Sequence, residues 1–293
     1  MAKPFLKWAG GKTQLIGDIS CKLPTFLSEE PFTYIEPFIG GGAFFFWLAN
    51  NFPNMERAVI NDINKDLINC YQIIRYDVHA LIEQLQIFEV QYNEQIKNEE
   101  EKKEYYYAKR EMFNNGDLDI INSAAHFIFL NRTCFNGLYR VNKSGKFNVP
   151  MGRYKKPTIC DKKNLLNVSR LLQKVEILSG DYERTLEYAD DLSFYYLDPP
   201  YKPLSETSNF NSYSSESFDD NEQIRLKRFC DDIVALNGFW ILSNSDVQQN
   251  SGDLFFDKLY KNYEVFRVEA TRKINSLSTG RGALKELLIS SAN

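Results

Sequence analysis

An apolar run, Leu192 to Leu197, ends abruptly in Asp198-Pro199-Pro200-Tyr201, and this junction constrains the fold more than any other feature of the chain. A short aromatic and aliphatic run of this kind reads as a buried strand. Two prolines stop it, because proline has no amide hydrogen for the sheet ladder and fixes its own φ. A carbonyl is thereby freed from the ladder. Ligands of open α/β sheets bind beyond the carboxyl ends of the strands. The tetrapeptide therefore sets an acid, a rigid carbonyl-bearing turn and an aromatic ring where a ligand would lie. A rigid turn with a buried tyrosine is the plainer reading of the same four residues.

The remainder supplies a sheet for that strand. Phe32 to Glu36 reads as a strand entering the turn Pro37-Phe38-Ile39-Gly40-Gly41-Gly42, followed by a helical run, Ala43 to Ala49, and a second apolar run, Ala58 to Asn61, that ends at Asp62. Strand, glycine turn, helix, strand and acid open a Rossmann-like unit. The glycines do not have the G-x-G-x-x-G spacing, and a tight turn accounts for them. Asp62 adds weight, since an acid about twenty residues on can accept ribose hydroxyls; it can also cap the next helix, and both roles are compatible. After Pro157 the pattern resumes, with strands over Val175 to Leu178 (ending at Gly180-Asp181), Phe239 to Leu242, Tyr263 to Val268 and Leu284 to Ile289. A helix carries Leu226, Phe229, Ile233 and Leu236 on one face, with Gly238 as its stop signal. From Lys65 to about Asn131 the period is helical, with Leu67, Cys70, Tyr71 and Ile74 on one face and a charged, exposed helix over Asn98 to Arg110. Val141 to Val149, with Ser144-Gly145 in its middle, fits a hairpin. The expected fold class is α/β, split by an inserted, mostly helical segment.

Composition narrows the chemistry. Five cysteines with no C-x-x-C spacing read as free thiols rather than a zinc site, and His79 and His126 are too few for a multi-histidine metal centre or a serine triad. No metal is expected. No run approaches a membrane span, and the start, Met1 to Phe5, lacks a signal-peptide core, which reads as a cytoplasmic protein. The net charge of −4 argues weakly against nucleic acid. Its distribution argues the other way, because Asn131 to Lys163 holds nine Lys or Arg and one acid, Asp161. Such a patch can contact phosphates, or can be a solvated face.

Two further segments combine residues suited to binding. In Phe5-Leu6-Lys7-Trp8-Ala9-Gly10-Gly11-Lys12 the phosphate-loop spacing is absent, but Trp8 and Lys12 could cover a ligand and clamp a carboxylate; taken by itself the segment favours an ordered N-terminal arm. Asn131 to Arg140 and Phe147 to Lys156 interleave Arg, Asn, Gly and aromatics, as suits base reading, stacking and phosphate contact. The Asp198 tetrapeptide suits an adenine amine. Its nitrogen is a poor nucleophile because the lone pair is delocalised into the ring. A carboxylate and a carbonyl that accept its two hydrogens would localise that pair, and their effect grows as the nitrogen becomes cationic.

Together these segments resemble the Dam-like family of DNA adenine-N6 methyltransferases, over nearly the whole chain. The resemblance implies a class I methyltransferase fold, Rossmann-like with a mixed, mostly parallel sheet, and an inserted, mostly helical DNA-recognition domain carrying a β-hairpin. It implies a catalytic domain over 1–66 and 158–293 and a recognition domain over 67–157. S-adenosylmethionine is the implied cofactor, held by Trp8, Lys12, Glu36, Pro37, Phe38, Gly40, Asp62, Asp181 and Asp198. Asp198, Pro199, Pro200 and Tyr201 would be catalytic, Tyr201 stacking on an adenine flipped out of the duplex. DNA contacts fall to Lys7, Phe135, Asn136, Leu138, Arg140, Pro150, Arg153 and Tyr154: Phe135 as a wedge, Asn136 in the space the base leaves, Arg140 on guanine, Leu138 and Pro150 on a thymine methyl. GATC is the implied target, with a monomeric enzyme on double-stranded DNA and a restriction endonuclease acting separately. A cytosine-N4 enzyme more often has Ser at the Asp198 position. A cytosine-C5 enzyme needs a cysteine nucleophile, classically after proline, which none of the five is. RNA or protein amines, and a silent DNA-binding module without cofactor, are the other readings.

Overall fold

Successive residues of a strand point to opposite faces of its sheet. In β1 (Phe32–Glu36) and β4 (Ser193–Leu197), Tyr34, Phe194 and Tyr196 enter one core while Ile35, Tyr195 and Leu197 enter another. Burial on both faces explains why these strands appear as unbroken apolar runs. The computed structural model describes residues 1–8, 15–202, 218–248, 252–271 and 283–291. With β2 (Met55–Asp62), β3 (Val175–Ser179), β5 (Phe239–Ser245), β6 (Glu264–Thr271) and β7 (Ala283–Ser290) they form one sheet in the order β3-β2-β1-β4-β5-β7-β6. The first five positions are parallel, and β7 runs antiparallel to both β5 and β6. This is the mixed, mostly parallel α/β sheet that the class I methyltransferase resemblance implies. The winding reverses between β1 and β4, which opens a crevice at their carboxyl ends.

Short helices α1 (Ile16–Ser20) and α2 (Phe26–Glu29) precede β1, and α3 (Ala43–Asn51) links β1 to β2. Between β2 and β3 come α4 (Lys65–Tyr76), α5 (Val78–Val90), α6 (Glu99–Asn115), α7 (Ile120–Thr133) and α8 (Lys162–Leu172), and α9 (Asp220–Ala235) precedes β5. Each of α4 to α9 starts after an Asn or Asp whose side chain accepts a backbone N–H of the first turn, a cap worth about 1 kcal/mol. The cap of α4 is Asn64, which leaves Asp62 free for other contacts. Asn237, not Gly238, is the left-handed residue ending α9, at φ 61°. The Asn237 and Gly238 N–H groups close onto the carbonyls of Val234 and Ile233 at 2.9 Å each, the two bonds of a Schellman end.

The core on the α3 face continues without a break into the inserted helices, since Tyr71, Ile128 and Phe129 share a cluster with Phe44 and Tyr196. The hairpin expected over 141–149 is reduced to a bridge between Val141 and Phe147. Asn142 Oδ1 accepts the Ser144 and Lys146 N–H groups, and Asn114 bonds both the N–H and the carbonyl of Phe147. The Asn142 side chain thus takes the Lys146 N–H that a longer ladder would use, while Asn114 satisfies the outward edge of Phe147.

Candidate functional site

Four adjacent parallel strands each deliver an acid at the carboxyl edge: Asp181 after β3, Asp62 ending β2, Glu36 ending β1 and Asp198 after β4. All four come from segments singled out in the sequence. Glu36 is buried and accepts the Tyr34 hydroxyl at 2.6 Å. Burial pushes its carboxyl well above the usual range, and the neighbouring charges of Asp198 and Asp62 push the same way, against the Tyr34 and Phe45 hydrogen bonds. Asp62 Oδ2 accepts the Gly40 N–H at 3.0 Å and Oδ1 the Asn64 N–H at 2.9 Å. Burial still leaves its pKa raised. For Asp181 burial acts upward too, but the Arg225 hydrogen bond, the Glu183 N–H and the Arg225 charge outweigh it and hold the carboxyl low. Arg225 reaches Asp181 Oδ1 at 2.7 Å and lies over the Tyr182 ring.

The Asp198 turn is fixed from β5 and α9. The Ser243 hydroxyl donates to Asp198 Oδ1 at 3.0 Å. Asn244 Oδ1 accepts the Lys202 N–H at 3.2 Å, Ser245 Oγ donates to the Lys202 carbonyl at 2.6 Å, and Gln223 Nε2 donates to the Pro200 carbonyl at 3.3 Å. Asn244 and Gln223, both fully buried, bond each other at 3.2 Å. Among the described residues no donor reaches the carbonyl of Pro199, a buried residue. The Tyr201 hydroxyl donates to Glu286 of β7 at 2.7 Å. Ser243, Asn244, Ser245 and Gln223 escaped the sequence reading, which ended β5 at Leu242. The signal for the three β5 residues was a polar run, Ser243 to Asp246, continuing an apolar strand; Gln223 had none.

The glycine turn after β1 makes room for side chains. A Cβ on Gly40 would stand 2.8 Å from Trp8 Nε1, and one on Gly41 2.7 Å from Trp8 Cβ. Gly40 and Gly42 also have φ of 47° and 69°, where glycine is favoured. Trp8 stacks on Tyr139 with centroids 5.6 Å apart. Phe38, half-buried, contacts the rings of Tyr182 and Phe218. Asn61 Nδ2 donates to the carbonyls of both Pro37 and Gly180, which ties the turns after β1 and β3 together. The donor set suits an adenosine bearing a cationic amino-acid tail: carboxylates for hydroxyls, an amine and an ammonium, and rings for a purine. Buried Asn61 Oδ1 and Ser179 Oγ, which have no partner among the described residues, add unused polar groups at the same edge. Lys12 lies outside the described residues.

The second group of expected contacts gathers on one surface. Phe135, Asn136, Arg153 and Tyr154 line a cleft of about 430 Å³ with Met151 and Gly152. Phe135 is half exposed and Asn136 is in the left-handed region, at φ 55°. The Pro150 carbonyl accepts the Phe135 N–H at 2.9 Å, and Cys134 bridges Met151, so the two runs are joined. Lys7 Nζ stands 3.9 Å from the Tyr154 ring centroid. Burial lowers its pKa, as does the nearby Arg132 charge. Leu138 is half-buried; Arg140 is exposed, its Nε donating to Asn148 Oδ1 at 2.7 Å. Arg132, counted in the basic run, turns inward to donate to the Phe5 carbonyl at 2.7 Å. No helix among the described residues is long and apolar enough to cross a membrane.

Residues 8–274 match the D12 class of N6 adenine-specific DNA methyltransferases. The chain is 47% identical over 291 residues to the type II methyltransferase M.MjaIII of Methanocaldococcus jannaschii, covering 98% of each chain. It is 40% identical over 292 residues to the type II methyltransferase M1.LlaDCHI of Lactococcus lactis subsp. cremoris, covering 98% of this chain and 94% of that one. With the DNA adenine methylase of Vibrio cholerae the identity is 36% over 287 residues, covering 98% and 95%.

Proposed function

Since the chain belongs to the D12 class N6 adenine-specific DNA methyltransferase family, we propose that it takes its methyl group from S-adenosylmethionine and places it on a flipped-out adenine of GATC in duplex DNA. The observation that carries this reading is the Asp198 turn at the crevice of the sheet, beside three further acids. S-adenosylmethionine, when bound, supplies an electrophilic methyl on a sulfonium. Asp62 would accept the ribose hydroxyls and Asp181 the cofactor's adenine amine, with the Phe38 ring available to the purine. Trp8, Glu36, Pro37 and Gly40 would shape the rest of that pocket, and Lys12 is assigned to the same ligand from the sequence alone.

The Asp198 carboxylate and one proline carbonyl accept the two hydrogens of the target amine. Pro199 is the proline assigned this role, because the Pro200 carbonyl already takes the Gln223 amide. Both acceptors are held before the substrate arrives, so they need no reorganisation as positive charge grows on the nitrogen. Tyr201 stacks on the base, its ring anchored through Glu286. The proton lost after transfer leaves to water or through Asp198, without any histidine. Residues 67–157 act as the recognition unit. There Phe135 wedges into the stack, Asn136 enters the vacated space, Arg140 reads guanine, and Leu138 and Pro150 touch a thymine methyl. Lys7, Arg153 and Tyr154 contact backbone or flanking bases.

The protein acts in the cytoplasm as a monomer. Two of its relatives are type II methyltransferases, so a cognate endonuclease acting separately is part of the proposal. Asp198→Ala tests the catalytic assignment: incorporation of labelled methyl into a GATC duplex should vanish while duplex binding persists. Wild-type turnover in that variant would remove Asp198 from the chemistry.

A further inference from the structure

Two consecutive residues of the N-terminal arm face the two different regions described above. Trp8 packs on Gly40 and Gly41 on one side and stacks on Tyr139 on the other, the rings inclined by 18°. Tyr139 is the neighbour of Leu138 and Arg140. Lys7 backs onto the turn that holds Phe135 and Asn136: a Cβ on Gly137 would stand 2.3 Å from Lys7 Cβ. The junction is held by one buried side chain. Asn131, in the last turn of α7, is 2% exposed. Its Oδ1 accepts the Lys7 N–H at 2.8 Å, and its Nδ2 donates to the Lys7 carbonyl at 2.7 Å and to the Gly137 carbonyl at 3.1 Å.

Those three bonds are more than packing needs. An apolar residue would fill this place in α7 without the cost of burying an amide. The amide instead fixes one register between arm and turn, as a fully satisfied buried polar group does. A ligand at the β1 loop bears on Trp8 and one at the recognition turn bears on Lys7; these residues are consecutive and held in one register, so a shift forced at either site is carried to the other.

We propose that Asn131 is a positioning residue that couples the methyl-donor pocket to the DNA-recognition turn, so that filling either site tightens the other. This rests on the function proposed above. Linkage requires the two effects to be equal in factor.

The test is the dissociation constant of a GATC duplex with and without saturating S-adenosylhomocysteine, together with the reciprocal pair. For the wild type the duplex should bind about 5- to 150-fold tighter with the cofactor product present, with the same factor in the reciprocal measurement. In Asn131→Ala the factor should fall to within about twofold of one. Gly137→Ala, which displaces Lys7 from the other side and keeps the amide, should lose the factor too, and decides the matter if Asn131→Ala does not fold. A merely structural role would weaken both affinities and leave their ratio unchanged; a wild-type ratio in a folded variant overturns the proposal. A ratio of one in a wild-type enzyme that methylates DNA overturns it as well, whereas a wild type that binds neither ligand removes the underlying functional reading instead.

Discussion

Ser243 donates its only hydroxyl hydrogen to Asp198 Oδ1 at 3.0 Å, across the join between β4 and β5. The Tyr196 hydroxyl, 3.2 Å from Ser243 Oγ, must then be the donor in that second bond. A relay from Tyr196 through Ser243 to Asp198 therefore fixes one carboxylate oxygen.

Ser243→Ala should lower kcat with duplex affinity preserved. A hydrogen bond to a charged group contributes about 1.5–3 kcal/mol, which corresponds to roughly a 10- to 150-fold loss if no water replaces the hydroxyl. Single-turnover methyl transfer measures it. An unchanged rate would mean that Asp198 is placed by the proline turn alone.

Glu36 gives a prediction of opposite sign to that of an ordinary ion-paired carboxylate. Burial raises its folded-state pKa, with Asp198 and Asp62 adding to the rise. The native state therefore holds a proton that the unfolded chain has already released. Stability of the unliganded protein must fall as pH rises from the unfolded value through the raised one. Glu36→Gln keeps an oxygen for the Tyr34 hydroxyl and has no charge to bury. Its melting temperature should gain on the wild type as pH rises above the range in which the unfolded carboxyl titrates. Parallel pH profiles for the two proteins would show that Glu36 is not desolvated in the free enzyme.

Gly41→Ala should displace Trp8, because the new methyl would stand 2.7 Å from Trp8 Cβ. Overpacking of this kind costs about 1–3 kcal/mol, read as a roughly 5- to 150-fold weaker binding of S-adenosylhomocysteine by calorimetry. Unaltered affinity would place the methyl-donor pocket away from Trp8.

The sheet was legible because β1 and β4 are buried on both faces, which leaves unbroken apolar runs, and because the acids stand at strand ends. What escaped is what holds those acids. Ser243, Asn244 and Ser245 are polar residues inside β5, and polarity there looked like the end of a strand. Gln223 and Arg225 sit on α9 with nothing local to tell them from surface residues; only folding brings them to Pro200 and Asp181. Gly238 was a reasonable stop signal, but Asn237 tolerates the left-handed region and sits one residue earlier. The hairpin shrank because the Asn142 side chain takes the Lys146 N–H that the ladder would use. The charge run misled in one respect, since Arg132 is committed to the arm through the Phe5 carbonyl.

Arg140→Ala should relax discrimination at one base pair of the target by about 1–3 kcal/mol, measured as kcat/KM on duplexes substituted at each position. A uniform loss across all duplexes would make Arg140 a phosphate contact.

The most direct test combines purified protein, labelled S-adenosylmethionine and two duplexes differing only in an intact or scrambled GATC, with base-resolved mass spectrometry of the product. N6-methyladenine in the intact duplex alone is the expected result. Label on cytosine, or no label in either duplex, would contradict the proposed chemistry of the Asp198 turn, and methyladenine in both would contradict the proposed site.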